Sequence, residues 1–393
     1  MRFASALSEH VETGQAVVQA LESIHAQLGA ADPDLILVFA TPSHAPRFET
    51  LARSLRSAFP GSVIAGAGGL GIAGDGREVE QRPAIGLFAA RLPGIEINAV
   101  CASAEELLNN TSTLAKEIAA KTGAATLLLS EPFSPGIEEL LAELDRAAPG
   151  IPTLGGIASG ADSPGSSALF LGEEVHRSGV IGIALRGALE VQQIVAQGCR
   201  PIGTPMFVTS ARGNTLHTLD GRSPTEILQE LFDVADAREK ALLQSSLFLG
   251  IQMHAGRSEY EHGDFLVRNL IGGDPETGAL SIGAPVEPNQ VVQFHLRDAH
   301  TASEDLGHAL RRHTKLRERV RGALLFSCTG RGQGLYGVAN HDTDAIQARL
   351  GPLPMSGFFG NGEIGQVEGR TFLHSYTSAV ALFCEPEKTS GRT

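Results

Sequence analysis

From Thr13 to Leu28 apolar side chains recur at three- and four-residue steps (Val17, Leu21, Ile24, Leu28), the spacing that gives a helix one buried face. Gly29 supplies a stop. The next apolar positions are contiguous: Leu35–Phe39 reads LILVF, a strand buried on both sides. Pro42 and Pro46 punctuate the loop before a helix from about Phe48 to Phe59, and Ser62–Ala65 is a further strand that runs into a glycine-rich bend.

This pattern recurs. A strand at Thr126–Ser130, a helix over Gly136–Ala147, Pro149-Gly150 and the run Gly155–Gly160 repeat the first unit. A third copy has a strand at Ala323–Cys328, a helix over Asp342–Leu350, Pro352 and Pro354, and the run Gly357–Gly365. From strand start to glycine bend the separations are 31, 29 and 34 residues (35 to 66, 126 to 155, 323 to 357). Near-equal spacing of that kind marks a repeated supersecondary unit. An alternating strand closes each copy, at Ala84–Ala90, Val180–Leu185 and Phe372–Phe383.

The segment between the second and third copies is different. Ser223-Pro224-Thr225-Glu226 has the form of a capping box with proline at the first helical position, backed by Ile227, Leu228, Leu231 and Phe232. Strands at Phe265–Ile271 and Ala279–Ile282 are joined by a hairpin loop over 272–278; Val291–Leu296 adds a strand and Ser303–Leu316 a helix. Breakers at Pro201, Gly203, Pro205, Gly213 and Gly221 place a domain boundary near 200–222. The expected fold is α/β: two domains of mixed sheets flanked by helices, over 1–210 and 211–393, built partly from related strand-helix-Gly-rich-bend units.

At 393 residues the chain is long enough for two cores without disulfides or metals. Its 31 basic and 44 acidic residues give a net charge of −13, which repels phosphate backbones and anionic lipids, so neither nucleic acid nor membrane is an expected partner. Four scattered cysteines form no C-x-x-C pair, the histidines have no ligand spacing, and no run nears the roughly 20 apolar residues of a membrane span. A cytoplasmic protein without metal or cofactor is the expectation.

Two runs match G-x-G-x-x-G, Gly66–Gly71 and Gly360–Gly365, but neither opens a predicted helix, as a dinucleotide site requires. The basic stretch Arg311–Arg319 reads as a solvated helix face. The chemistry concentrates in the third copy. Its strand ends in Ser327-Cys328-Thr329-Gly330-Arg331-Gly332, at the carboxyl edge where open α/β sheets bind ligands. Arg331 could offer its fork to a carboxylate or phosphate, or lie on the surface as a plain loop residue. In the glycine bend, Phe358 and Phe359 offer an apolar wall and Glu363 an anion beside Gly362. Arg331 and Glu363 on one cavity would suit a zwitterion such as an amino acid; alternatively Glu363 pairs with Arg331 or caps backbone. Asp342 could cap the helix that follows His341. A catalytic reading would take Cys328 as nucleophile with His341 or His374 as base, against a small cysteine packed in a strand.

Gly322–Gly332, His341-Asp342, Gly357–Gly365 and Phe372–Thr377, in that order, strongly resemble the C-terminal FIST domain, as do Asp264–Leu270 and Phe294–Asp298. Residues 34–200 resemble the FIST N-terminal domain more weakly. The resemblance implies a sensory module for a small polar ligand, with amino acids proposed for the family, and no catalysis. FIST domains often carry attached signalling modules, none of which is visible here, so a signalling protein partner is a further expectation. The candidate ligand-binding set is Ser327, Cys328, Gly330, Arg331, Gly332, His341, Phe358, Phe359, Gly362, Glu363 and His374. An enzyme using Cys328 and an adaptor for a protein partner are the alternatives.

Overall fold

The computed structural model describes residues 1–386 apart from Ala30, Ser258 and His262. The fold is mixed α/β in two compact units that interleave along the sequence. One comprises Met1–Val195, Gly307–Leu373 and the stretch from Thr377; the other comprises Ala196–Leu306 with His374–Tyr376. The second unit begins at Ala196, and the chain returns to the first at Gly307.

The first unit is three copies of one motif. Copy one runs β1 (Arg2–Ser8), α1 (Thr13–Leu28), β2 (Leu35–Ala40), α2 (Phe48–Ala58), β3 (Val63–Gly68), the hairpin β4 (Gly71–Gly74) and β5 (Arg77–Glu80), then β6 (Ile85–Arg91). Copy two runs β7 (Glu96–Ala102), α3 (Ala104–Asn109), α4 (Thr111–Lys121), β8 (Ala125–Ser130), α5 (Ile137–Ala147), β9 (Thr153–Ile157), the hairpin β10 (Leu169–Leu171) and β11 (Glu174–His176), then β12 (Val180–Arg186). Copy three opens with β13 (Glu190–Ala196).

The second unit interrupts copy three. It consists of β14 (Cys199–Arg212), β15 (Thr215–Leu219), α6 (Pro224–Val234), α7 (Ala237–Ser245), β16 (Leu247–Gln252), β17 (Phe265–Gly273), β18 (Leu280–Ile282) and β19 (Val291–Arg297). Its strands close into a six-stranded barrel packed around Val208, Leu216, Leu249, Ile282, Val292 and Phe294. Helix α8 (Ala299–Arg312) leads back to copy three, which continues as β20 (Val320–Cys328), α9 (Gln333–Tyr336), α10 (His341–Leu350), β21 (Met355–Gly360), the hairpin β22 (Glu363–Val367) and β23 (Arg370–His374), then β24 (Ser378–Cys384).

Each copy builds the centre of a six-stranded sheet around one parallel pair, β2 with β3, β8 with β9 and β20 with β21. The hairpins, however, leave home. β10 pairs with β3, β22 with β9 and β4 with β21, so every sheet is completed by a hairpin from another copy, in a closed cycle. Each visiting hairpin is fastened to the local helix: Arg177 to Glu49 of α2 at 2.6 Å, the Thr371 amide and hydroxyl to Asp145 of α5 at 2.7 and 2.6 Å, and the Thr343 amide of α10 to Glu78 at 2.7 Å. The inner faces of all three sheets share one core, in which Phe39, Phe326 and Phe358 meet with ring centres 5.3 and 5.5 Å apart. The outer faces of the first two sheets pack on α1 and α2 and on α4 and α5.

The sequence reading placed the three central strands and their helices but took the glycine runs for bends. They are strands. A Cβ on Gly66, Gly155 or Gly357 would lie 1.8 Å from the carbonyl oxygen of Val38, Leu128 or Leu325 on the parallel neighbour, so only glycine lets these strands approach. Two further expectations are corrected. Helix α6 starts where the Ser-Pro-Thr-Glu signal put it, but Ser223 makes no cap; its hydroxyl contacts Thr225 Oγ1 and the Gly278 carbonyl instead. The segment 372–383 is two strands, β23 and β24, with Ser375–Thr377 between them. Among the described residues no helix is long and apolar enough to cross a membrane, and no group of three or more His, Cys, Asp or Glu is placed to hold a metal ion.

Candidate functional site

Alignment of the three copies on Gly66, Gly155 and Gly357 makes Thr41, Glu131 and Cys328 equivalent at the ends of β2, β8 and β20. The connections that follow differ. Residues 41–47 and 131–136 lead to α2 and α5, whereas 329–340 lead to α10, and this longer segment carries α9 and Arg331.

Arg331 is fully buried, and it forks onto Asp342 in the first turn of α10, Nε donating to Oδ2 at 2.9 Å and Nη2 to Oδ1 at 3.1 Å. Ser327 Oγ lies 3.3 Å from Oδ2, and the His341 ring meets Oδ1 through Nδ1 at 2.9 Å. His341 stacks on Tyr336 with ring centres 3.4 Å apart and planes at 8°, and the Tyr336 ring lies 5.5 Å from Arg331 Cζ. Burial alone would raise the Asp342 carboxyl, but the Arg331 charge and the His341 hydrogen bond hold it well below the usual range. Asp342 is therefore not the helix cap expected from sequence: Asn340 occupies that position in a left-handed conformation, and the Asp342 carboxylate is turned onto Arg331.

The visiting hairpin β4–β5 latches this segment. Glu80 accepts from the Gln333 amide at 2.9 Å, and a side chain on Gly332 would collide with the Glu80 carboxylate. The Glu78 amide donates to Asn340 Oδ1 at 2.8 Å, and its carboxylate receives the Thr343 amide. Burial, followed by the nearby Asp342 charge, pushes the Glu78 carboxyl up to about 8.

Glu363 faces the shared core. It sits where the other hairpins carry Ile72 and Leu169, both buried and apolar. It is fully buried, accepts from the Thr377 amide at 3.1 Å and is held by the Cys328 thiol. Burial pushes its carboxyl well above the usual range, opposed by the Thr377 amide and the Arg331 charge. Arg331 and Glu363 thus flank Cys328, whose carbonyl accepts from the Arg331 amide at 2.9 Å. Each retains a buried atom, Nη1 of Arg331 and Oε1 of Glu363, with no hydrogen-bond partner among the described residues.

The structure brings Ser327, Cys328, Gly330, Arg331, Gly332, His341 and Glu363 into one neighbourhood, with Gly330 N 3.5 Å from Cys328 Sγ. The phenylalanines are employed otherwise. Phe358 is locked in the core against Phe39 and Phe326, and Phe359 packs over Gly71. Gly362 gives its carbonyl to the Ile157 amide, a pairing of the sheet itself. His374 belongs to the second unit. Cys328 is buried, and among the four cysteines only Cys101 is exposed, with Sγ 3.7 Å from His176 Nδ1. Sequence reasoning missed Glu78, Glu80 and Tyr336. The two glutamates reach the site only through the exchange of hairpins, which no local pattern announces; Tyr336 lay within the expected loop without a motif to single it out.

A FIST N domain is matched over residues 34–222 and a FIST C domain over 224–366. The chain is 34% identical over 391 residues to an uncharacterized protein of Mycobacterium tuberculosis strain H37Rv, covering 98% of this chain and all of that one. It is 32% identical to an uncharacterized protein of Mycobacterium bovis, over 98% of this chain and 99% of the other. Among solved structures it aligns with a cyanuric acid hydrolase from A. caulinodans at 9% identity and a TM-score of 0.34, over 98% of this chain and 99% of that one. Both domains matched in sequence order and relatives aligned end to end establish that the chain belongs to the FIST family of sensory-type domains.

Proposed function

We propose that this protein senses a small polar metabolite at the end of β20, under the 329–340 segment, through Arg331 and Glu363. The observation that carries the reading is the pair of orphaned atoms, Arg331 Nη1 and Glu363 Oε1, on fully buried side chains either side of Cys328. A buried polar atom left unpaired costs on the order of 1–3 kcal/mol, and two of them on side chains that each adjoin Cys328 call for a purpose outside the stability of the fold. The comparison between copies supports it, since two hairpins put aliphatic side chains where the third puts Glu363. Family membership supports small-ligand sensing in general; amino acids enter as the first compounds to try.

The test is a thermal-shift screen of amino acids and related metabolites, followed by calorimetry on wild type and Arg331→Lys. The expected outcome is a compound whose Kd weakens at least about tenfold in the lysine variant, a loss of about 1.4 kcal/mol, because the single lysine nitrogen cannot reproduce the planar fork onto Asp342 with a third nitrogen aimed elsewhere. A bound compound indifferent to this change would place the site elsewhere.

A further inference from the structure

The charges around the orphaned atoms narrow the ligand further, on the assumption that the site just proposed is the right one. Arg331 is already neutralised: two of its three nitrogens are committed to Asp342, and both side chains are out of contact with solvent. The same arginine therefore cannot serve as the counter-ion of a second carboxylate without leaving a net negative charge in the interior, at a cost of several kcal/mol. Glu363 stands in the same position toward a cation. The groups that face it are the Thr377 amide, the Cys328 thiol and, at longer range, Arg331, and burial pushes its carboxyl well above the usual range. To receive an ammonium group it would have to ionise in an apolar core. The opposite charges that made a zwitterion attractive on sequence grounds are thus both opposed, one by an ion pair and the other by full burial, which disfavours an ionised carboxylate.

What remains on these two side chains is Arg331 Nη1, with its two N–H groups, and one carboxyl oxygen, Glu363 Oε1, able to give or take a hydrogen bond. We propose that the ligand of this site is an uncharged molecule that presents a hydrogen-bond acceptor to Arg331 and an N–H or O–H group to Glu363, of the carboxamide or urea class. Such a molecule satisfies both orphaned atoms and brings no charge into the core.

Four compounds of similar size and different charge test this: acetamide, urea, acetate and glycine, each added to the intact protein and read by saturation-transfer NMR. Acetamide and urea are expected to give transfer that is lost in Arg331→Lys and kept in Glu363→Gln, since the glutamine preserves a neutral group of the same shape. Acetate and glycine are expected to give none. Transfer from glycine or acetate that depends on Arg331, without transfer from the amides, would overturn the charge assignment while leaving the site in place. Loss of amide binding in Glu363→Gln would overturn it as well. Transfer from none of the four, or transfer that ignores Arg331, would remove the site and this inference together.

Discussion

Glu78 is the side chain whose chemistry is most sharply set by its surroundings. Its carboxyl is pushed to about 8 by burial and by the Asp342 and Glu80 charges that face it, against an ordinary value of 4.5. Between those two values the folded protein holds a proton that the unfolded chain has released, so stability falls as pH rises through this window. Replacement by glutamine keeps an acceptor for the Thr343 amide and removes the titration. The stability of Glu78→Gln relative to wild type, read from thermal melting, is therefore expected to rise from pH 5 to about pH 8 and then level off, by at least about 1 kcal/mol in all. A difference that does not change with pH would show that Glu78 is ionised throughout. The residues most legible in sequence were those on the third strand and its loop, Ser327, Cys328 and Arg331, because small polar groups after an apolar run stand out. Asp342 was legible as an acid at a helix start, but its partner was not, since Arg331 reaches it across a connection of no fixed geometry.

Apolar runs of five or six residues, flanked by helical spacing, were enough to locate β2, β8 and β20 together with α2, α5 and α10. The glycine runs misled because glycine counts as a breaker in sequence, whereas β3, β9 and β21 need it to lie against a parallel neighbour. Alanine at Gly66, Gly155 or Gly357 is expected to cost at least about 3 kcal/mol at each position, or to prevent folding. Alanine at Gly14 or Gly61, where an added Cβ meets nothing within 4 Å, is the matched control. Chemical denaturation of the five variants decides the matter. If the first three lose no more than the controls, close strand contact is not what these glycines provide.

For the molecule as a whole, the exchange of hairpins makes the three copies mutually dependent. Residues 1–91 contain a full strand-helix set, yet their sheet is completed by β10 and β11 from copy two. This fragment is expected to lack a cooperative melting transition and dispersed amide resonances when produced alone, because an edge of β3 and much of its apolar inner face stay uncovered. A cooperative transition would mean that the copies are independent domains. The threefold spacing was readable in the sequence and the cyclic pairing was not: hairpins of three to five residues per strand carry too little pattern to reveal which sheet they join. The barrel was seen only in fragments, its strands β17 to β19 from alternation and turn residues, and its long strand β14 was hidden among prolines and glycines.

Because copy one lends its hairpin to copy three, damage at Glu78 and damage at Thr343, 265 residues away, strike the same bond. A genetic map of loss-of-function alleles would therefore scatter between both ends of the coding sequence while converging on a single lesion. Suppressors of an allele at one end should be sought at the other.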